Sequence, residues 1–423
     1  MLNFYTRRLN TFMLLGLVLG GLIGFLLPGQ ALNLGFIGEL FIRLLSLFIV
    51  PVIFISILSG VLQLDSSGNL ARVGIKTFLY YMITTGLAVI LGLGLVNIVQ
   101  PGKTAGTEQA LVSYDQEIAV QGGLGDVIRN IIPNNIIEAA SEGNVLGIIF
   151  FSLFLGVALL QLQHTAFPNI RDSVAGVFQA LIWMIEKSLL LAPIGFLALM
   201  ADLVGTFVIE KRLEELGGAL LSYTGCVVAG LLIHGLVVLP LIAYIFRINS
   251  FRLFKKVGPA LATAFSTASS TATLPVTIDC LTNRAKISKA TAGFVAPLGS
   301  TVNMDGTAIY EAVAVIFIAN MVGVELDFTQ QFVVFLTATF SAIGAAGIPG
   351  AGLIMMVLIL NAVGLPPEAI SLVVVVDRAL DMMRTCLNVW GDSIGSAVVA
   401  ASEGEELPLI TLSRKAVGVS AGA

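Results

Sequence analysis

Charge is what this sequence has least of. Of its 423 residues only 22 are Lys or Arg and 26 are Asp or Glu, 11% in all, while 57% are apolar. Soluble domains carry about 25% charge, so these side chains cannot cover a water-exposed body of this length. A soluble enzyme is excluded, and a mean hydropathy of +0.97 makes the bilayer the solvent. Basic surface is missing too: the net charge is -4 and the pI near 5.3, which excludes nucleic acid as a partner because phosphate binding needs a basic face. The three cysteines, Cys226, Cys280 and Cys386, are odd in number and lack ligand-like spacing, so they read as free, membrane-buried thiols. No G-x-x-x-x-G-K-[ST] phosphate loop occurs, and ATP-driven pumping has no engine in this chain.

What is present is apolar length. A spanning helix needs about 20 mostly apolar residues, and the segments 11–29, 35–63 with a kink at Pro51, 74–98, 144–163, 172–208, 217–246, 291–322 and 368–402 meet that need. The spacing therefore predicts an all-α polytopic membrane protein with eight transmembrane helices. The first run follows Arg7 and Arg8 and resembles a signal peptide, but Gly16, Gly20 and Gly24 lie at small-xxx-small spacing and predict a retained, packed helix. Residues 100–143 hold Lys103, Glu108, Asp115, Glu117 and Asp126 and read as an exposed polar loop with an interfacial helix. Basic residues favour the cytoplasmic side, and Arg7, Arg8, Arg72, Lys76, Arg247, Arg252, Lys255, Lys256, Arg414 and Lys415 put both termini there.

Two apolar segments refuse to be spans. Residues 257–280 have basic residues at both ends, Lys255 and Lys256 before and Arg284 and Lys286 after, and their middle is a hydroxyl-rich turn from Ser266 to Thr273 followed by Pro275. They read as a hairpin entering from the cytoplasmic side. Residues 332–364 have acidic flanks, Glu325, Asp327 and Glu368, and break at Gly344 and at Gly347-Ile348-Pro349-Gly350. They read as a hairpin entering from outside. Irregular backbone at membrane depth is tolerated only where it is buried in protein or lines a watery cavity, so two such tips predict a shared polar site near the midplane. The order hairpin-span, hairpin-span with opposite entry is the pattern of an inverted repeat.

Charges inside spans mark sites by default, and here they concentrate in the last third. Asn303-Met304-Asp305-Gly306-Thr307 interrupts an apolar run with poor helix formers. The freed carbonyls and Asp305 would be hard oxygen ligands for a small cation; the bland reading is a polar network that holds helices together. In 368–402, Arg384, Thr385, Asn388 and Asp392 follow Asp381 at offsets of three, four, seven and eleven, which share one helix face. Arg384 can clamp a carboxylate and Asp381 can bind an ammonium, or the two can simply neutralise each other at a helix contact. Glu311, eight residues past Asn303, is a carboxyl able to carry a proton or to pair with a base. Tyr81, Thr84 and Thr85 offer oxygens on one face of 74–98.

Together the serine-rich tip, the NMDGT run and the aspartate-to-asparagine stripe resemble the dicarboxylate/amino acid:cation symporter family, the glutamate transporters and their prokaryotic homologues. The likeness covers nearly the whole chain. It implies an elevator-type homotrimer in the cytoplasmic membrane, with no enzymatic activity and no cofactor beyond coupling ions, sodium and in part protons. The scaffold would be 1–73 and 144–208. The transport domain would be 74–99, 217–246, hairpin 252–286, an unwound helix 291–322, hairpin 329–364 and helix 368–402, leaving loop 100–143 and a cytoplasmic tail 403–423. L-aspartate or L-glutamate would be held by Ser270, Thr307, Ile348, Gly352, Asp381, Arg384, Thr385 and Asn388. Sodium would lie with Gly299, Asn303, Asn388 and Asp392, with Tyr81, Thr84, Thr85, Asn303 and Asp305, and with Thr301, Met304, Ala342, Ile343 and Ala345.

Departures from the family carry information. Archaeal members have an arginine at the position of Ala268 and animal carriers one at Met382; here Arg378 is the only nearby candidate to take that part. Glu311 is similar to the proton-carrying glutamate of the animal carriers, and by analogy potassium counter-transport enters with it. Competing readings are a neutral amino acid or C4-dicarboxylate symporter of the same fold, a passive channel, and an intramembrane hydrolase using a serine of the 266–270 tip. The last needs a base within hydrogen-bond reach, and His164 and His234 lie far from the tip in sequence.

Overall fold

A computed structural model describes residues 9–62, 68–103, 129, 131–141, 144–162, 167–344, 347 and 350–409. Every helix or strand among them is a helix, the one open-ended structure whose backbone bonds are all internal, as lipid demands. In chain order the main elements are α1 (Leu9–Leu26), α2 (Gly35–Ser46), α3 (Ile49–Leu62), α4 (Gly68–Val99), α5 (Val145–Leu162), α6 (Ile170–Ser188), α7 (Ala192–Ile209) and α8 (Leu213–Ile233). There follow α9 (Leu239–Ile245), α10 (Ser250–Thr267), α11 (Ser270–Asp279), α12 (Lys289–Val302), α13 (Asp305–Met321), α14 (Phe328–Gly344), α15 (Ala351–Ala362) and α16 (Ser371–Ser402).

Among the described residues five helical stretches are long and apolar enough to cross a membrane: Pro28–Leu62, Arg72–Val99, Ile170–Ile209, Leu213–Ile245 and Lys289–Met321. Thr11–Leu26, Leu146–Leu162 and Ala351–Ala362 are shorter apolar helices. Large apolar side chains stay exposed along α1 (Leu14, Val18, Leu22), α4 (Ile75, Leu79, Ile83) and α8 with its continuation (Leu221, Leu232, Leu236). Such extended apolar surface needs a cover. The kink expected at Pro51 lies earlier, at Leu47 and Phe48 between α2 and α3, because proline disfavours helix before itself and tolerates the first turn. The expected single span 172–208 is one helical stretch, Ile170–Ile209, tightened at Leu189–Leu191 just before Pro193.

The periphery is packed through glycine. A Cβ on Gly16, Gly20 or Gly24 of α1 would overlap the carbonyls of Pro193, Leu197 and Ala201 on α7, so the two helices touch backbone to backbone. The centre is built around α16, 32 residues or about 48 Å long, contacted by α10, α12 and α13. It buries Asp377, Arg378, Asp381, Arg384 and Asp392. All of α13 but Asn320 is buried, its Asp305, Thr307 and Glu311 included.

Three breaks aim backbone at one region. Between α12 and α13, Asn303 is extended (φ -94, ψ 95) and Met304 non-helical. Between α10 and α11, Ala268 is left-handed (φ 49), a costly conformation for a residue with a Cβ, and Ser269 caps α11 by accepting from Ala272 N. Between α14 and α15, Gly350 has φ 79. The two tips meet: Ser269 Oγ donates to Gly347 O at 2.7 Å and Thr271 N to the same oxygen at 3.2 Å. A Cβ on Gly347 would collide with Ser300 O and Thr271, which is why glycine stands there. At one end of the molecule Arg72 and Lys76 on α4 clasp Glu403 beyond α16, at 2.6 and 2.5 Å, and hold its carboxyl down at about 2.

Candidate functional site

The stripe on α16 is an ion cluster before it is anything else. Arg384 is wholly buried. Its Nη2 donates to Asp377 Oδ1 at 3.0 Å and Asp381 Oδ1 at 2.9 Å, and its guanidinium lies 3.8 Å from the centre of the Tyr310 ring, a cation-π contact. Arg378 Nη1 donates to Asp381 Oδ2 at 3.0 Å, and Gly350 N to the same oxygen at 3.1 Å. Asp381 and Arg384 do neutralise each other, within α16 where it meets α13, and with Asp377 and Arg378 as further members. Two cations face two carboxylates. Arg384 Nε and Nη1 have no partner among the described residues, and leaving such buried donors unpaired costs about 1–3 kcal/mol or more. Nη1 is the atom nearest to where a Cβ on Gly352 would stand, with Thr307 beside it.

That free nitrogen belongs beside a small pocket. Ala268, Ser270, Met304, Thr307, Gly347 and Gly352 line it from the tips and α13, and Asp381, Thr385 and Asn388 from α16. Its volume is 10 Å³, about one water; the tips are closed on it. Of the eight residues expected at a substrate, seven are at or beside this pocket and Ile348 lies outside the described residues. Thr385 Oγ1 is spent on Asp381 O at 2.8 Å. The tip serine that bonds across the hairpins is Ser269, not Ser270.

The first cation set converges. Asn303 Nδ2 donates to Asp392 Oδ1 at 2.9 Å and Asn388 O at 3.2 Å, while Asn303 Oδ1 is buried without a partner among the described residues. A Cβ on Gly299 would run into Asp392 Oδ1 and the Tyr81 hydroxyl. In the second set Thr85 Oγ1 donates to Asp305 Oδ1 at 2.8 Å. Tyr81 and Thr84, though wholly buried, turn to carbonyls, at Val295 and Tyr81 respectively. The third set is the least assembled: Thr301 Oγ1 donates back to Leu298 O, Met304 Sδ accepts from Asn388 Nδ2 at 3.1 Å, Ala342 is buried on α14, Ile343 is described only as helix backbone, and Ala345 lies outside the described residues.

Glu311 is fully buried; its Oε2 accepts from Ser341 Oγ at 3.1 Å, and Oε1 has no partner among the described residues. Four participants had no role assigned from the sequence. Asp377 and Tyr310 hold Arg384; Asp377 was visible as an acid one turn before Asp381, Tyr310 carried no signal. Ser269 was hidden among equivalent hydroxyls. His234, 71 residues from Asp305, stands with Nε2 3.0 Å from its Oδ2. It is therefore on a carboxylate of the NMDGT break and not on the serine tip, while His164 lies outside the described residues.

Buried, mutually compensating charges at the crossing of broken helices and two hairpin tips define a class, the secondary transporters, in which such breaks build the binding site. The sequence profile of the Sodium:dicarboxylate symporter family matches residues 9–402, and the chain belongs to that family. It is similar to an excitatory amino acid transporter of Caenorhabditis elegans, 36% identical over 90% of this chain and 85% of the relative. Excitatory amino acid transporter 1 of Ambystoma tigrinum is 33% identical over 94% and 83%, and excitatory amino acid transporter 2 of Homo sapiens 36% identical over 95% and 80%. With several helices long enough to span a bilayer, the protein is a multipass membrane transporter.

Proposed function

We propose that this protein is a symporter of acidic amino acids, L-aspartate or L-glutamate, driven by sodium and, through Glu311, by protons. The observation that carries the reading is Arg384: a buried guanidinium with two unpartnered nitrogens, one of them toward Gly352 and Thr307. A side-chain carboxylate satisfies both with the bidentate geometry that arginine favours. The substrate ammonium then replaces Arg378 on Asp381, and Thr307, Thr385 and Asn388 complete the shell with the backbone of Ser270, Ile348 and Gly352. A plain C4-dicarboxylate has no ammonium for Asp381, and a neutral amino acid leaves Arg384 unpaired, so both are disfavoured.

Sodium is cargo here, and the donors present suit it: carboxylate and amide oxygens are the hard ligands such a cation takes. The orphaned Oδ1 of Asn303, whose Nδ2 bonds Asp392 and Asn388, supports that fit. Eight spans with two re-entrant hairpins in inverted repeats and both termini cytoplasmic follow from the hydropathy and the placement of basic residues; assembly as a homotrimer and elevator movement of the α16-centred body, α4 included, against a scaffold of α1–α3 and α5–α7 follow from the family likeness. In that scheme Arg378 serves as the second arginine beside Asp381.

Proteoliposome uptake of labelled aspartate and glutamate under separately imposed sodium, proton and potassium gradients tests the reading. Uptake is expected to need sodium and to fall to background in Arg384→Ala; uptake indifferent to every gradient, or to that substitution, refutes it. Glu311→Gln is expected to remove the response to a proton gradient while sodium-driven exchange persists.

A further inference from the structure

We propose that His234 and Trp390 are positioning residues for Asp305, aiming its carboxylate at the cation through a π-turn in the helix that carries His234. The proposal rests on the assignment of Asp305 to a sodium site.

The two oxygens of Asp305 are held separately. Thr85 Oγ1 donates to Oδ1 at 2.8 Å, and His234 Nε2 faces Oδ2 at 3.0 Å. A carboxylate only accepts, so Nε2 is the donor toward it; Nδ1 is buried and without a partner among the described residues. Between them the two donors fix the rotation of the carboxylate.

His234 reaches that place because its helix is irregular. After α8 the chain makes a π-turn over His234–Val238 before α9 begins. The N–H of Leu239, which in an α-helix would bond Gly235 O, bonds His234 O instead. The next donor along the helix would be Pro240, which has no N–H. Gly235 O, in a buried residue, is thus left without a helical partner, and Trp390 supplies one: its Nε1 donates to Gly235 O at 2.9 Å. The indole is held edge-on by the Phe254 ring at 5.5 Å and sits on α16 between Asn388 and Asp392, two residues of the cation and substrate shell. The result is a relay of contacts from α16 through the π-turn to His234 and on to Asp305. Single π-turns gather at functional sites, and losing the partner behind a metal ligand commonly costs about 10–100-fold in affinity. The unpartnered Oδ1 of Asn303, whose Nδ2 bonds Asp392, is an independent oxygen in this neighbourhood suited to a hard cation.

The test is sodium binding without transport. The full-length protein in detergent micelles is titrated with sodium chloride, ionic strength held with choline chloride and no amino acid present, and the sodium midpoint of the thermal shift is read. His234→Ala and Trp390→Phe, the latter keeping a smaller aromatic ring and losing the N–H, are expected to raise that midpoint on the order of tenfold. His234→Gln, whose amide can still donate to Asp305, is expected to recover most of it, with the KM for aspartate at saturating sodium unchanged. A purely structural role lowers the melting temperature equally at every sodium concentration and leaves the midpoint where it was; that outcome overturns the proposal. Should His234→Ala fail to fold, Trp390→Phe and His234→Gln decide. An unmoved midpoint in Asp305→Asn would overturn the cation-site assignment itself, separately from the positioning role.

Discussion

The α1–α7 pair and the α13–α16 pair both bring backbones into contact, by opposite chemistry. On α1 three glycines rest on the carbonyls of Pro193, Leu197 and Ala201 while Leu14, Val18 and Leu22 face outward. At the centre a single glycine, Gly306, lies against the backbone of Arg384, and the rest of the contact is made by ions and amides: Asn388 Oδ1 accepts from Gly306 N at 2.8 Å, and Asn388 O from Asn303. Lipid tails give apolar helices no reason to prefer each other. The peripheral pair therefore holds by close approach alone, which is rigid and indifferent to ligands. The central pair holds by groups that a ligand can compete for.

The contrast can be broken most severely at its centre. Asp377→Asn leaves Arg384 and Arg378 facing one carboxylate, and breaking a buried ion cluster in this way costs about 3–5 kcal/mol. Thermal melting should fall steeply and aspartate uptake with it; retained uptake with an unchanged KM would show that the cluster is not part of the site. Next in size is Gly20→Leu, which must force α1 off the Leu197 carbonyl at about 1–3 kcal/mol. Melting temperature and yield should drop with no change in the KM for substrate or sodium, and a shifted KM would erase the distinction between the two regions. The smallest effect belongs to the end clasp. Arg72 and Lys76 hold the Glu403 carboxyl at about 2, below the ordinary glutamate value of about 4.3. The clasp is thus fully present above that ordinary value and is lost as pH falls through the lower one. Glu403→Gln should cost about 2 °C or less in melting temperature at neutral pH, and the gap to the parent protein should close on acidification.

What could be read in advance was whatever is written locally. The Asn303-Met304-Asp305 break is a local conflict between side chain and helix, so the chain shows it without its partners. Asp381 and Arg384 lie one turn apart, and their meeting is helix arithmetic. Gly16, Gly20 and Gly24 announced a close helix contact but not that α7 would supply it. The bonds that escaped reading all join distant segments: His234 to Asp305, Trp390 to Gly235, Ser269 to Gly347. Each fills a backbone or carboxylate vacancy that only the folded chain creates. Pro240 comes nearest to a legible warning, since a proline inside an apolar span leaves a carbonyl to be satisfied by something, and a buried tryptophan elsewhere carries a donor to give. The hydroxyls of Tyr81, Thr84 and Thr301 were legible as oxygens, but their actual use on nearby carbonyls depends on rotamers that no spacing encodes.

Asn388 carries a consequence of its own. Its amide oxygen takes the N–H of Gly306, its amide nitrogen faces Met304 and Thr307, and its backbone oxygen takes Asn303. One residue is thus wired to the pocket on one side and to the Asn303–Met304 break on the other. In engineering language it is an interlock: the bonds that shape the pocket cannot be re-aimed without disturbing those that hold the break, because one residue serves both.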